Sequence, residues 1–298
     1  MSACEIRTLV DRLVESTEAL AALGGLIRLR VGDVQAHADV EDALRATVSA
    51  LDLSSAWDEV DADELAPILP MLLSLFQESL DLVSDPLRAP GWSCTDVRFL
   101  ESQGAESATF PAALERTIAP ELPGLFDALA AESAAFLDVG VGVAGLSIAM
   151  CERWPNLIAV GLDPWAPALE LARRNVATAR LQERISLRPQ RVQELDEVEV
   201  YDLAWLPAPF LAKEVLPTAL ARVHRALRPG GWLVVGMYLG EGELGMALAQ
   251  LRAVRSGGSA LSAEVAESLL TDAGLGSVVT LPESSWAPAL VVAGRRAG

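Results

Sequence analysis

134-AAFLDVGVGVAGLSIAM-150 is the stretch on which the reading of the whole chain turns. An apolar run from Ala134 to Leu137 stops at Asp138, Gly140 and Gly142 follow at alternate positions, and a helical pattern begins near Ala144. That order spells strand, tight turn, helix. Glycines in such a turn adopt backbone angles closed to other residues, and the helix that follows presents unpaired N–H groups at its start. A nucleotide-like ligand suits this geometry, because its polar groups can approach the bare main chain.

Two ligand classes use the same turn. Gly140, Gly142 and Gly145 fit G-x-G-x-x-G, with Asp163 near the position of a ribose-binding acid, which is the dinucleotide pattern. The acid two residues ahead of the first glycine instead makes D-x-G-x-G, which resembles motif I of the class I S-adenosylmethionine-dependent methyltransferases. The resemblance continues in order through 157-LIAVGLDPWAPALELARRN-175, 184-RISLRPQRVQEL-195, 200-VYDLAWLPAP-209 and 226-ALRPGGWLVVGMY-238. These segments match the second to fifth strands of that family, the last introduced by its L-x-P-G-G turn. The resemblance implies an α/β fold, a Rossmann-like doubly wound seven-stranded sheet with an antiparallel last strand. An all-helical N-terminal region precedes it.

The resemblance also implies S-adenosylmethionine as cofactor. Asp138, Gly140 and Gly142 would hold its methionine part, and Asp163, followed by Pro164, would accept the ribose hydroxyls; capping the next helix is the structural alternative for Asp163. The adenine would meet Gln190, Arg191 and Val192 after the third strand, and Leu206 and Pro207 after the fourth would also border the cofactor. This region departs from the family, since Arg191 stands where an aspartate commonly accepts from adenine and a guanidinium can only donate or stack. Ala144 replaces the third glycine of the common G-x-G-x-G. The segment Trp205-Leu206-Pro207-Ala208-Pro209-Phe210 lacks the acid or amide with which amino-group methyltransferases grip a planar nitrogen, so an apolar acceptor pocket, shared with Tyr238, is expected.

Composition narrows the field. Residues 1–134 hold 24 acids against 8 bases and residues 135–298 hold 17 against 15, so the net charge of −18 sits almost wholly in the first half. Such a field repels phosphate backbones, and no nucleic acid partner is expected. The richest apolar run, 65-LAPILPMLLSLF-76, is short and holds two prolines, and the charged N-terminus does not read as a signal peptide. No membrane partner and a cytoplasmic location are the expectation. Cys4, Cys94 and Cys151 are too scattered for a disulfide framework or a zinc site, and His37 and His224 are the only histidines, so no metal is expected.

Apolar spacing predicts helices over 3–23, ended by Gly24-Gly25, over 39–53 and within 62–85. Another helix is expected over 121–133, before strands near 134–139, 157–162, 184–189, 200–205 and 231–238. Helices 241–255 and 261–274 and a hairpin of 275–281 with 288–296, joined by 282–287, should close the fold. Two regions result: 1–120, a helical lid or homodimer interface, and 121–298, the cofactor-binding domain. Trp92, Phe99 and Phe110 either pack the connection or wall the site, where Ser107 and Thr109 could reach the cofactor's methionine end. No catalytic residue is assigned; His224 is the obvious base by type, but its place on the helix before the fifth strand favours a structural role.

The function expected is methyl transfer to a hydrophobic small molecule, at oxygen before carbon or nitrogen. The alternatives are a protein of the same fold that binds the cofactor for an isomerase or cyclase activity, and an NAD(P)-dependent oxidoreductase. Asp138 ahead of the glycines and the lack of a hydride-transfer residue weigh against the last.

Overall fold

The computed structural model describes residues 3–32, 34–53, 57, 59–238, 240–281 and 289–298, so the expected 282–287 turn lies outside the described residues. Two compact units divide it, Met1–Val83 and Ser84–Gly298.

The first unit contains helices α1 (Ala3–Val31), α2 (Ala38–Ser49), α3 (Ala62–Leu65) and α4 (Ile68–Ser84). Helix α1 runs straight through Gly24-Gly25, where the sequence predicted a stop. The glycines serve packing instead: a Cβ on Gly24 would lie 3.2 Å from Leu72 of α4, and one on Gly25 would lie 3.4 Å from Leu44 of α2. Close approach of neighbouring helices offsets the roughly 1 kcal/mol that glycine costs in a helix interior. Leu26, Ile27, Val48, Leu65 and Leu72 make the small core. Towards its N-terminus α1 exposes Ile6, Leu9, Val10, Leu13 and Val14. Ala62–Ser84 is long and apolar enough to cross a membrane by length and composition, a property that the shorter run read from the sequence did not show.

The second unit opens with α5 (Val97–Ser107) and α6 (Phe110–Ala113), the latter running on into a π-helical turn at Leu114–Ile118 and a 3-10 turn at Ala119–Glu121. The short α7 (Leu125–Ala130) leads to the sheet. This compact unit begins at Ser84, ahead of α5. The reason is packing: Leu114, Ile118, Leu122 and Leu125 are buried in the same core as Phe136 of the first strand.

Strands β1 (Ala135–Val139), β2 (Ile158–Leu162), β3 (Ile185–Arg188), β4 (Tyr201–Pro207), β5 (Leu227–Tyr238), β6 (Leu275–Leu281) and β7 (Ala289–Arg296) form one sheet in the order 3-2-1-4-5-7-6. The first five are mutually parallel, and β7 runs antiparallel to both β5 and β6, as expected. Between them lie α8 (Gly145–Arg153), α9 (Ala166–Thr178), α10 (Leu216–Ala226), α11 (Gly242–Ser256) and α12 (Ala263–Asp272). Strand alternation sorts the core onto two faces, with Phe136, Leu203 and Val234 on one and Leu137, Ala204, Val235 and Val292 on the other. Strand order reverses between β1 and β4, and ligands of open α/β sheets bind at such a switch point, outside the carboxyl ends of the strands.

Gly145 begins α8 directly under α5, where a Cβ would stand 2.0 Å from the carbonyl oxygen of Gly104. Backbone cannot yield there as a side chain could. Gly145→Ala is expected to lower stability by about 1–3 kcal/mol, the range of overpacked interiors, and urea denaturation checks it. An unchanged midpoint would show that α5 does not press on the turn.

Candidate functional site

The site forms where the β1–α8 and β2–α9 turns meet. Gly140 and Gly142 sit at φ +70° and +55°, in the left-handed region that the sequence pattern anticipated. A Cβ on Gly142 would meet only the Gly140 carbonyl at 3.9 Å, so the bare backbone borders open space. Ala144 also has positive φ, +68°, and a non-glycine residue there costs about 1–2 kcal/mol. The turn is retained with alanine in place of the third glycine.

Asp163 joins the two turns. One carboxylate oxygen accepts the Gly142 N–H at 2.9 Å and the other accepts the Trp165 N–H at 2.8 Å. Burial raises its pKa, while those two N–H groups pull it down. An ionised carboxylate has about four lone-pair sites, so each oxygen keeps capacity for one more donor. Two such oxygens suit a vicinal diol. Asp163 therefore combines the turn-bracing role with the capacity for a ribose, and Pro164 beside it is exposed.

Asp138 is buried, with its carboxylate 2.7 Å from the Ser147 hydroxyl, which donates to it. Burial pushes its pKa up to about 7, against the Ser147 hydrogen bond and with help from the nearby Asp163 charge. Ser147 was not singled out from the sequence; only the first turn of α8 brings it back onto β1. On the far side of the glycine turn, Pro207 at the end of β4 faces Gly140, 3.4 Å from where its Cβ would be, and Leu206 is fully buried.

After β3, Val192 is buried and Arg191 is exposed, its backbone N–H turned to Glu194 at 3.3 Å. The Gln190 amide nitrogen donates to the Glu194 carbonyl at 2.9 Å, which leaves its carbonyl oxygen as the acceptor in this turn. The Ser107 and Thr109 hydroxyls both bond back to carbonyls of their own segment, Gly104 and Glu106. His224 packs on Gly274 near the start of β6, its pKa lowered by burial and by Arg296. Its helix feeds the amino end of β5, so His224 lies at the edge of the sheet opposite the switch point.

Aromatic rings line the carboxyl ends of β4 and β5. Trp92 meets Phe210 edge-on at 5.1 Å and Phe99 at 5.7 Å, and Phe210 lies 6.4 Å from Tyr238. Arg252 of α11 stacks over Tyr238 at 4.7 Å. Phe110 packs on Trp205 at 4.7 Å, and that indole lies across Gly236 of β5, where any Cβ would collide with it. Among the described residues no group of His, Cys, Asp or Glu converges as a metal site.

Residues 136–231 match the family described as methyltransferase domain. Two malonyl-[acyl-carrier protein] O-methyltransferases are similar in sequence. That of Xylella fastidiosa is 34% identical over 125 residues, 40% of this chain and 40% of that protein. That of Priestia megaterium is 27% identical over 104 residues, 35% and 36% of the two chains. The chain thus spans about two fifths of the length of these relatives. In fold it resembles the S-adenosylmethionine-dependent methyltransferase SibL, with a TM-score of 0.60 at 20% identity and 99% of each chain covered. It also resembles the mitomycin 7-O-methyltransferase MmcR, with a TM-score of 0.55 at 17% identity, covering 99% of this chain and 98% of that one. Human N-acetylserotonin methyltransferase, solved with S-adenosylmethionine, has a TM-score of 0.54 at 14% identity, with full coverage of both chains.

The fold and the glycine turn define a class I S-adenosylmethionine-dependent methyltransferase architecture. The chain carries that methyltransferase domain, with a helical region before it, and S-adenosylmethionine is the cofactor such a domain takes. The open glycine backbone and the two half-used oxygens of Asp163 fit that group.

The buried Asp138 makes a pH prediction. Its folded pKa lies above the ordinary carboxylate value, so between about pH 4 and about pH 7 the folded chain keeps a proton that the unfolded chain releases. Stability from this group is therefore lost as pH rises through that window and is level above it. Asp138→Asn should gain on the parent protein steadily from pH 5 to pH 7 in urea denaturation. A difference that does not change with pH would mean that Asp138 is ionised throughout.

Proposed function

We propose that the protein transfers a methyl group from S-adenosylmethionine to an oxygen of a hydrophobic small molecule in the cytoplasm. The observation that carries this reading is Asp163, which joins the β1–α8 and β2–α9 turns and has acceptor capacity for one further donor on each oxygen. In this reading the backbone of Gly140 and Gly142 receives the methionine part, above the Asp138 and Ser147 pair. Pro164, Gln190, Arg191 and Val192 border the adenosine, with the Gln190 carbonyl oxygen accepting from the adenine amino group. Leu206 and Pro207 back the sulfur side. In this reading the acceptor meets the rings of Phe210 and Tyr238, which lie 6.4 Å apart.

Transfer from a sulfonium needs in-line placement of the acceptor atom more than it needs a dedicated base. No base is assigned. The similarity to malonyl-[acyl-carrier protein] O-methyltransferases and to the fold of MmcR supports oxygen as the acceptor atom. An isomerase or cyclase that binds the same cofactor remains the second reading, and it is the missing base that favours it.

In this reading the N-terminal helices pair with a second copy of the chain; the exposed α1 stripe favours it, because a monomer gains nothing by leaving such a face in water. Sedimentation should show a dimer that Leu9→Glu with Leu13→Glu converts to monomer. A parent protein that sediments as a monomer at micromolar concentration would remove the interface reading.

Calorimetric titration tests the cofactor directly: S-adenosylhomocysteine should bind and NAD should not. Asp163→Ala should weaken that binding by about 1.5–3 kcal/mol, the scale of hydrogen bonds to a charged group. It should also lower stability by about 1–3 kcal/mol, because the Gly142 and Trp165 N–H groups lose their acceptor. Lowered stability with unchanged affinity would reduce Asp163 to a brace.

A further inference from the structure

The segment from Asp85 to Asp96, between α4 and α5, has little regular structure, yet both of its ends are tied down at the top of the sheet. At one end Arg255 of α11 donates to the Asp85 carbonyl at 3.2 Å, and the Gly91 N–H donates to the Arg255 carbonyl at 3.3 Å. Gly91 and Gly257 also press so closely that a Cβ on Gly257 would lie 2.9 Å from the Gly91 Cα. This end of α11 lies over the carboxyl ends of β4 and β5, since Ser256 reaches the Tyr238 hydroxyl at 3.3 Å and Gly258 abuts the Pro209 carbonyl. At the other end the Trp165 indole N–H donates to the Cys94 carbonyl at 2.8 Å. Trp165 opens α9, after β2.

Given the strand order, a segment fixed above β5 at one end and beside β2 at the other crosses β4 and β1, the switch point itself. Its ring contacts agree with that course. Trp92 reaches Phe210 after β4, and Trp92 and Cys94 pack on the cluster of Leu100, Val143, Ala168 and Leu171, in which Val143 belongs to the glycine turn.

Trp165 touches both parts of this arrangement. Its backbone N–H is held by Asp163 at 2.8 Å, and its side chain holds the segment at 2.8 Å. We infer that residues 85–96 are a strap that closes over the cofactor, and that Trp165 is the positioning residue coupling the ribose-binding carboxylate to it. The inference rests on the cofactor reading given above. A ribose that occupies Asp163 fixes the Trp165 backbone and with it the indole that latches the strap. Exchange of cofactor requires the latch to open.

Cys94 lies on the strap and reports its state. Cys151 is buried, with its thiol pushed up to about 11 by that burial, and exposed Cys4 can be replaced by serine. In full-length Cys4→Ser protein, iodoacetamide labelling of Cys94, read by mass spectrometry, should slow about tenfold with saturating S-adenosylhomocysteine. Trp165→Phe keeps a ring but loses the N–H; it should label faster and lose most of that protection, with an unchanged circular dichroism spectrum. Should Trp165→Phe not fold, Trp92→Leu, which removes the edge contact with Phe210, should loosen the strap in the same direction. Calorimetry on the same samples separates the failures. Bound ligand without protection, or full protection in a folded Trp165→Phe or Trp92→Leu protein, overturns the strap alone. No bound ligand overturns the cofactor reading and the strap with it.

Discussion

The carboxylate of Asp163 is the point on which the site depends. Two strand–helix turns, separated by α8 and β2 in the chain, have to be held at a fixed spacing if one ligand is to span them. Hydrogen bonds to a charged group are the stronger kind, about 1.5–3 kcal/mol each, and this carboxylate makes two of them to main-chain N–H groups. Both N–H groups lie at or near the start of a helix, where such groups are otherwise without an intrahelical partner. The brace thus satisfies donors that the fold itself creates and still leaves acceptor capacity for a ligand.

Beneath it, Asp138 sets a second constraint. A fully buried carboxyl carries a desolvation cost, and here Ser147 donates to its side chain from both its hydroxyl and its backbone N–H. Burial is the main reason its pKa is raised, and the nearby Asp163 charge adds to it, because two carboxyls close together in low dielectric resist ionising together. The cationic sulfonium and ammonium groups of S-adenosylmethionine would shift that balance towards the ionised form. Cofactor binding and the charge of the turn are linked on this reading.

The upper part of the site is built by side chains that have no sequence motif. Trp205 fits only because Gly236 faces it across β4 and β5, and Phe110 then packs on the indole. Trp92, Phe99, Phe210 and Tyr238 come from three separated segments and meet ring to ring. Aromatic pairs of this sort contribute about 0.5–1.5 kcal/mol beyond their buried area, enough to seat an irregular segment but not enough to lock it.

The sequence by itself determined the order of strands and helices, the antiparallel ending, the glycine turn and the acid at the end of β2. These follow from local rules: apolar periodicity, the need for glycine at positive φ, and the resemblance of five consecutive landmarks to one family. It did not determine where α1 ends, because Gly24-Gly25 reads as a break until Leu72 and Leu44 are seen to occupy the space their missing side chains leave. Nor did it show the burial of Leu114 and Ile118 beside Phe136, a property of packing between segments distant in sequence. Ser147, Trp165 and Gly104 were passed over for the same reason. Each is an ordinary residue of an ordinary helix or turn, and only the approach of another element, within hydrogen-bond or van der Waals distance, gives it a part in the site.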